Sequence, residues 1–86
     1  MDDKTLSFKE KLENQHQFPG YYLFKFVVPA SQKQRLLELM PEGKTSFKES
    51  SGKSYVSVTV EAFMESSLDV IDVYEKASKV EGVISL

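Results

Sequence analysis

The string Ser51-Gly52-Lys53-Ser54 is the part of the sequence closest to a chemical motif, because nucleotide-binding loops end in Gly-Lys-Ser/Thr. The full motif, GxxxxGK[ST], requires glycine at the position that Phe47 occupies. It must also open a helix, whose N-terminus binds the phosphate, whereas this string precedes a strand-like segment. We therefore predict a hairpin turn here.

Metal and nucleophile chemistry lack their usual components. His16 is the only histidine and cysteine is absent, so zinc would not find its three or four nitrogen and sulfur ligands. A serine nucleophile needs a positioned base, and His16 lies in a polar run outside the predicted core. Carboxylates one helical turn apart, Glu10 with Glu13 and Asp69 with Asp72, are typical of the charged side of an amphipathic helix. We expect no catalytic residue, no metal site and no cofactor.

The composition indicates one small soluble domain. The 86 residues are 41% hydrophobic, which suffices for one core. The net charge of -2, with both signs interleaved, argues against a polyanion binder. No apolar run approaches the roughly 20 residues that span a bilayer, and residues 1–11 lack the apolar centre of a signal peptide. We expect a cytoplasmic protein without membrane contact.

Two periodicities predict the elements that would position any site. Strands, rich in aromatic and β-branched residues, are predicted at 21–28, 45–49, 55–62 and 80–86. Helices are predicted to begin at the cap-like pairs Ser31/Gln34 and Ser66/Asp69. The order βαββαβ predicts an α+β, ferredoxin-like sandwich: an antiparallel sheet in strand order 4-1-3-2 with both helices on one face.

Residues 18–86 are predicted to form this domain, with residues 1–17 as an N-terminal extension that is partly helical or disordered. Within the extension, residues 5–15 have the pattern of a charged helix whose only apolar residues are Leu6, Phe8 and Leu12.

The sheet face turned away from the helices is the predicted binding surface. If Phe24 and Phe26 lie beneath the helices, their alternating neighbours lie on the other face. These candidate site residues are Tyr21, Leu23, Lys25, Val27, Tyr55, Ser57 and Thr59. Together with Val83 of the last strand they would form a half-apolar patch, which a soluble monomer seldom leaves uncovered.

Three covers for this face stay open. The N-terminal segment could fold back over it. A second copy of the chain could pair there, or along the edge strand at residues 80–86, to give a homodimer. An unknown protein partner or small ligand could bind instead.

Aromatic residues on this face also raise single-stranded RNA recognition. Gly52, Tyr55 and Val56 fit part of the strand-three RNA-binding pattern. Lys53, however, occupies the first stacking position, and Val58 replaces the final aromatic residue. With an acidic net charge as well, we expect no nucleic-acid binding.

Short strings between residues 18 and 86 carry a family resemblance. They are Phe18-Pro19, Tyr22, Phe24, Lys25, Ser50-Ser51-Gly52, Tyr55, Ser57-Val58, Val73-Tyr74-Glu75, Val80, Val83 and Leu86. This set resembles the YbeD-like family of small bacterial proteins, also called domain of unknown function 493. The resemblance implies a ferredoxin-like fold similar to ACT regulatory domains, which bind small molecules or pair their sheets. It implies no catalytic residues, and some relatives are associated with control of lipoate metabolism.

The expected function is a non-enzymatic regulatory or protein-interaction module. The alternative is a small-molecule sensor of the ACT type, binding where the first strand meets the next helix and linked to lipoate only through the family. RNA binding ranks below both. An enzyme is not expected, because the sequence offers no combined set of acid, base and nucleophile.

Overall fold

An antiparallel four-stranded sheet with helices on one side forms the computed structural model, which describes residues 3–50, 52 and 54–86. The strands are β1 (Gly20–Pro29), β2 (Lys44–Glu49), β3 (Tyr55–Met64) and β4 (Ile84–Ser85). The helices are α1 (Asp3–Gln15), α2 (Lys33–Leu39), which follows a 3₁₀ turn at Ala30–Gln32, and α3 (Ser67–Ala77). The strand order β2-β3-β1-β4 confirms the predicted ferredoxin-like sandwich.

The two central strands bury every second residue. On β1, Phe24, Phe26 and Val28 are fully buried, and on β3 the buried set continues from Val56 to Met64. Phe24 lies opposite Val60, and Lys25 lies opposite Thr59. Period-two alternation places these apolar side chains under the helices and leaves their neighbours on the outer face. β3 extends two residues beyond its predicted end, and this brings Phe63 into the sheet.

The two predicted helix caps have different outcomes. The hydroxyl of Ser66 accepts a hydrogen bond from the Asp69 N–H at 3.3 Å, so the predicted cap of α3 is confirmed. The predicted cap at Ser31 is wrong, because α2 begins after Gln32 without a side-chain cap. Ser31 is itself inside the 3₁₀ turn, whereas an N-cap residue needs a non-helical backbone.

The last strand is much shorter than the predicted range 80–86. Only Ile84 and Ser85 pair with β1. Before them the chain turns: Val83 N–H donates to the Val80 carbonyl, and Gly82 has φ of 77°, a left-handed backbone that favours glycine. This turn moves Val83 out of the predicted open patch, and its side chain packs against the core instead.

Helix α1 packs beside α3 in the helix layer. Leu12 is buried, and the ring of Phe8 meets the ring of Tyr74 edge-on at 5.5 Å. The hydroxyl of Ser67 donates to the Glu13 carboxylate at 2.9 Å. Of the three covers left open for the outer sheet face, the N-terminal segment is therefore not the one used, because Phe8 and Leu12 pack on the opposite side of the sheet.

Docking of α1 is predicted to weaken in acid. Hydrogen bonds from Lys9 and Ser67 hold the pKa of Glu13 below its ordinary value of 4.5. Because the folded pKa is the lower one, this stabilisation is present above about pH 4.5 and is lost as the pH falls through the folded pKa. Amide-exchange protection of α1 should fall relative to that of α3 between about pH 5 and pH 3.

Glu13→Gln should remove most of this pH dependence, because the amide does not titrate. A ratio of α1 to α3 protection that stays constant with pH in the unmodified chain would contradict the prediction.

Candidate functional site

The open sheet face is the side of the sheet opposite the helices, and it carries all the predicted site residues. In an antiparallel sheet, directly opposed residues point to the same side. The register of β1 and β3 thus places on this face Tyr21, Leu23, Lys25, Val27, Tyr55, Ser57 and Thr59. Their shared location agrees with the sequence pattern, and their role in binding stays a prediction.

Three apolar residues of this face were not found from the sequence. Phe63 lies opposite Tyr21, and the two rings meet edge-on at 5.6 Å. Ile84 of β4 lies opposite Val27, and the N–H of Leu86, which follows β4, donates to the Lys25 carbonyl, so these two residues add two more apolar side chains. The alternation of β3 continues through Phe63 and could have revealed it. Which residues of β4 point to the open face depends on the turn before it, so the sequence pattern alone did not indicate Ile84 and Leu86.

Apolar residues follow β1, β4 and the end of β3, and we call them the apolar strip. It consists of Tyr21, Leu23, Val27, Phe63, Ile84 and Leu86. Tyr21 is 72% exposed and Leu86 is 71% exposed, so these side chains are bare in the monomer. This is a contiguous surface rather than a scatter of single exposed residues.

The β2 side of the open face is polar and basic. Lys44 lies opposite Glu61 and Lys48 lies opposite Ser57, so both lysines are on the open face. Lys25 lies within the apolar strip on β1. The open face therefore changes from lysines at β2 to apolar side chains at β1 and β4.

A shallow pocket of about 230 Å³ lies at the Tyr55 end of the open face, lined by Val27, Lys48, Glu49, Ser50, Tyr55 and Ser57. Ser50 N–H donates to the Tyr55 carbonyl at 2.9 Å, which closes the predicted β2–β3 hairpin. Ser51 and Lys53 of the string resembling a phosphate loop lie outside the described residues. Drug-sized ligands usually occupy about 300–1,000 Å³, so this pocket is of a size for a side chain.

Among the described residues, three clefts have volumes in the range of small-ligand sites, and the smallest, of about 320 Å³, lies on α1 beside Phe8. One, of about 430 Å³, lies between α2 and α3, where Glu38, Asp69 and Asp72 surround an apolar floor that includes Met64. Lys76 pairs with Asp72 there at 2.9 Å. This cleft therefore combines acidic and basic side chains with an apolar floor.

The second cleft, of about 400 Å³, lies beside α1 and includes Glu13, His16, Phe18 and Ser67. The imidazole ring of His16 contacts the ring of Tyr22 at 4.9 Å. The hydroxyl of Ser67 donates a hydrogen bond to the carboxylate of Glu13 on α1. This arrangement fixes α1 in place.

The hydroxyl of Tyr74 is hydrogen-bonded to that of Tyr22 under α1. The hydroxyls of Tyr22 and Tyr74 lie 3.2 Å apart, and burial, followed by this hydrogen bond, raises the pKa of Tyr74 well above its ordinary value. A phenol with a raised pKa stays protonated near neutral pH, so it cannot serve as a base. The pair instead satisfies polar atoms within an aromatic cluster.

Two absences hold for residues 3–50, 52 and 54–86. No group of three or more histidine or acidic side chains could hold a metal ion there. No helix in these ranges is long and apolar enough to cross a membrane.

A ferredoxin-like α+β sandwich with one uncovered, half-apolar sheet face defines the class of domain. The chain belongs to the family described as Protein of unknown function (DUF493), whose model matches residues 13–86, and the resemblance predicted from the sequence is confirmed. No curated protein and no solved structure matches the chain.

Proposed function

We propose that this chain is a non-enzymatic regulatory or protein-interaction module that acts in the cytoplasm through its open sheet face. The observation that carries the proposal is the exposed apolar strip, in which Tyr21 and Phe63 stand beside Leu23, Ile84 and Leu86. Burial of apolar area is the main favourable term in protein association. Aromatic residues are also enriched in protein interfaces.

The dimensions of the face support a protein partner. β1 and β3 have ten residues each, so each is about 34 Å long, and neighbouring strands lie about 4.8 Å apart. With the shorter β2 and β4, the projected area is about 450 Å². Protruding side chains make the accessible area larger, which brings it toward the roughly 800 Å² per partner of a specific complex.

The non-enzymatic part of the proposal is supported by how the polar side chains are used. Ser67 and Glu13 hold α1, and Tyr22 and Tyr74 satisfy each other. The open face offers lysines and hydroxyls but no histidine. Among the described residues of this face, the Glu61 carboxylate lies opposite Lys44 rather than beside a histidine or a second carboxylate.

The test compares two leucines of equal exposure on opposite sides of the molecule. Leu23 on the open face is 47% exposed, and Leu68 on α3 is 48% exposed. We expect Leu23→Gln to lower the retention of specific partners from a native extract about tenfold, because about half of a leucine side chain remains to be buried on binding. Leu68→Gln should leave retention unchanged.

Quantitative mass spectrometry of the retained proteins, with thermal unfolding to show that both variants fold, gives the measurement. Equal retention by the two variants would contradict the proposal.

The alternative function, a small-molecule sensor, is favoured by the helix-side clefts rather than by its predicted location. At the predicted location, Ala30 begins a tight 3₁₀ turn and its N–H donates to the Ser54 carbonyl. The clefts next to Asp72 and next to His16 have volumes in the range of ligand sites. A thermal-shift screen with amino acids and cofactors, including lipoate, tests this alternative, and a flat screen would count against it.

A further inference from the structure

We infer that the open sheet face binds an amphipathic segment of a partner protein, in which an apolar stripe is flanked on one side by carboxylates. This inference rests on the proposed function and adds the chemistry of the partner. It assigns the face to a different protein rather than to a second copy of this chain.

The open face has the opposite charge to the rest of the molecule. The register places on it the charged side chains of Lys25, Lys44, Lys48 and Glu61, whose formal charges sum to +2. Glu49 borders the shallow pocket, but it lies opposite the buried Val56 and so falls on the helix side. The whole chain carries -2, so the remainder carries -4. An acidic protein that collects positive charge on one face attracts negative partners to that face.

The lysines of this face are available for a partner. In the described part of the chain, the ion pairs join Lys9 to Glu13 and Lys76 to Asp72, and both pairs lie on the helix side. Lys25, Lys44 and Lys48 therefore have no carboxylate within ion-pair distance there. A partner carboxylate would gain a lysine without breaking an existing pair.

The order of residues across the sheet defines how charge and apolar surface meet. Directly opposed residues on neighbouring strands form rows across the sheet, from β2 to β4. One row on the open face is Lys48, Ser57, Val27 and Ile84. Two rows further along the open face lie Lys44, Glu61 and Leu23. The distance from β2 to β4 is three strand spacings, about 14 Å. A helix with its side chains is about 10–12 Å wide. One helix on the face would thus place its apolar stripe over β1 and β4 and its acidic flank over β2.

The shallow pocket supplies an anchor for such a segment. Val27 and Tyr55 form its apolar part, and Lys48 stands at its rim. A partner segment that places an apolar side chain in this pocket would bring its next carboxylate close to Lys48. Anchor side chains that fill a desolvated pocket supply much of the binding energy of a protein interface.

A second copy is a poor match for this face. A two-fold dimer would place the open face against itself, so that two surfaces of +2 would meet. Like charges facing each other disfavour association. The short β4, with two paired residues, also offers little backbone for strand addition.

Single-stranded nucleic acid is also a poorer match than an acidic protein. Leu23, Val27, Ile84 and Leu86 occupy most of the apolar strip, and aliphatic side chains give bases no aromatic ring to stack on.

The experiment selects binders from a random peptide display library on the immobilised full chain. The selected peptides are then measured by fluorescence anisotropy against the chain and its variants. We expect peptides rich in Asp or Glu beside apolar residues, whose affinity falls about fivefold in the double variant Lys44→Gln, Lys48→Gln. The matched control, Lys11→Gln with Lys79→Gln, changes net charge equally on other surfaces and should leave affinity unchanged.

Each other outcome overturns the inference in a distinguishable way. Neutral or basic peptides that require Leu23 but not the lysines would overturn the acidic partner and leave the proposed function standing. Failure to select any peptide sensitive to Leu23→Gln would overturn both. Tighter binding of labelled oligouridine at the same lysines would assign the face to RNA, and a dimer by light scattering that Leu23→Gln dissociates would assign it to a second copy.

Discussion

Phe26→Ala is expected to lower the free energy of unfolding by about 3 to 5 kcal/mol. Phe26 is fully buried, its ring stacks on Phe24 at 6.4 Å, and it meets Tyr74 edge-on at 5.7 Å. Alanine would lose the transfer energy of the ring and leave a cavity between the sheet and α3. A domain of 86 residues has only about 4 to 13 kcal/mol of stability in total. Urea denaturation followed by circular dichroism gives the measurement.

Phe63→Ala is the matched control, because it makes the same change on the other face of the sheet. Phe63 is 51% exposed and contacts Tyr21. Its removal should cost no more than about 2 kcal/mol, from the loss of one aromatic pair and of the burial of about half the ring. If the two variants lost equal stability, the assignment of one buried face and one open face would be wrong.

The contrast between Phe26 and Phe63 also shows why much of the fold could be predicted. A strand with one face in the core and one in water alternates apolar and polar residues. The sequence of β1 and β3 therefore predicts both that they are strands and which residues lie on each face. The cap at Ser66 is equally local, because Ser66 bonds to a backbone group three residues away. Local rules of this kind predicted that the seven candidate residues share one face of the sheet. The strand order was predicted from the order of the elements together with right-handed crossovers.

The lysine side of the open face depends on pairing instead. All six residues of β2 are exposed, so no alternation indicates which of them point to which face. The face to which each residue of β2 points follows from its register with β3, in which Phe47 lies opposite the buried Val58. Phe47 is then on the helix side, where the Lys33 ammonium lies 4.3 Å from its ring. Lys44 and Lys48 fall on the open face as a consequence.

The location of α1 and the phase of β4 are also non-local. Leu6, Phe8 and Leu12 allow a helix to dock on either side of the sheet. The choice depends on partners far along the chain, such as Tyr74 and Ser67. For β4, the left-handed turn at Gly82 sets which residues face outward.

Gly43→Ala is expected to lower the free energy of unfolding by about 2 to 3 kcal/mol, because a side chain here meets backbone atoms. A Cβ on Gly43 would overlap the Glu61 carbonyl oxygen and lie 3.1 Å from the Ala62 Cα. Backbone in a central strand cannot rotate away as a flexible side chain can. The strain would therefore move the start of β2 away from β3, where Lys44 pairs with Glu61.

Gly52→Ala provides the control for this change. At Gly52 the nearest atom to a new Cβ is the Ser54 hydroxyl oxygen at 3.9 Å, which is ordinary contact. Both substitutions reduce the entropy of the unfolded chain equally, a gain of up to about 1 kcal/mol. The difference between the two variants in urea denaturation thus isolates the clash at Glu61. Equal stabilities would show that β2 does not approach β3 so closely.

The same displacement links the packing of Gly43 to the proposed partner. If the start of β2 moves, Lys44 moves with it, while Leu23 and the rest of the apolar strip stay with β1 and β4. Acidic peptides should then bind folded Gly43→Ala more weakly, by the part of the affinity that depends on Lys44. Anisotropy titrations with the selected peptides, at a temperature where the variant is folded, measure that loss. Unchanged affinity would mean that Lys44 does not contact the partner, and the acidic flank would have to lie nearer Lys25 and Lys48.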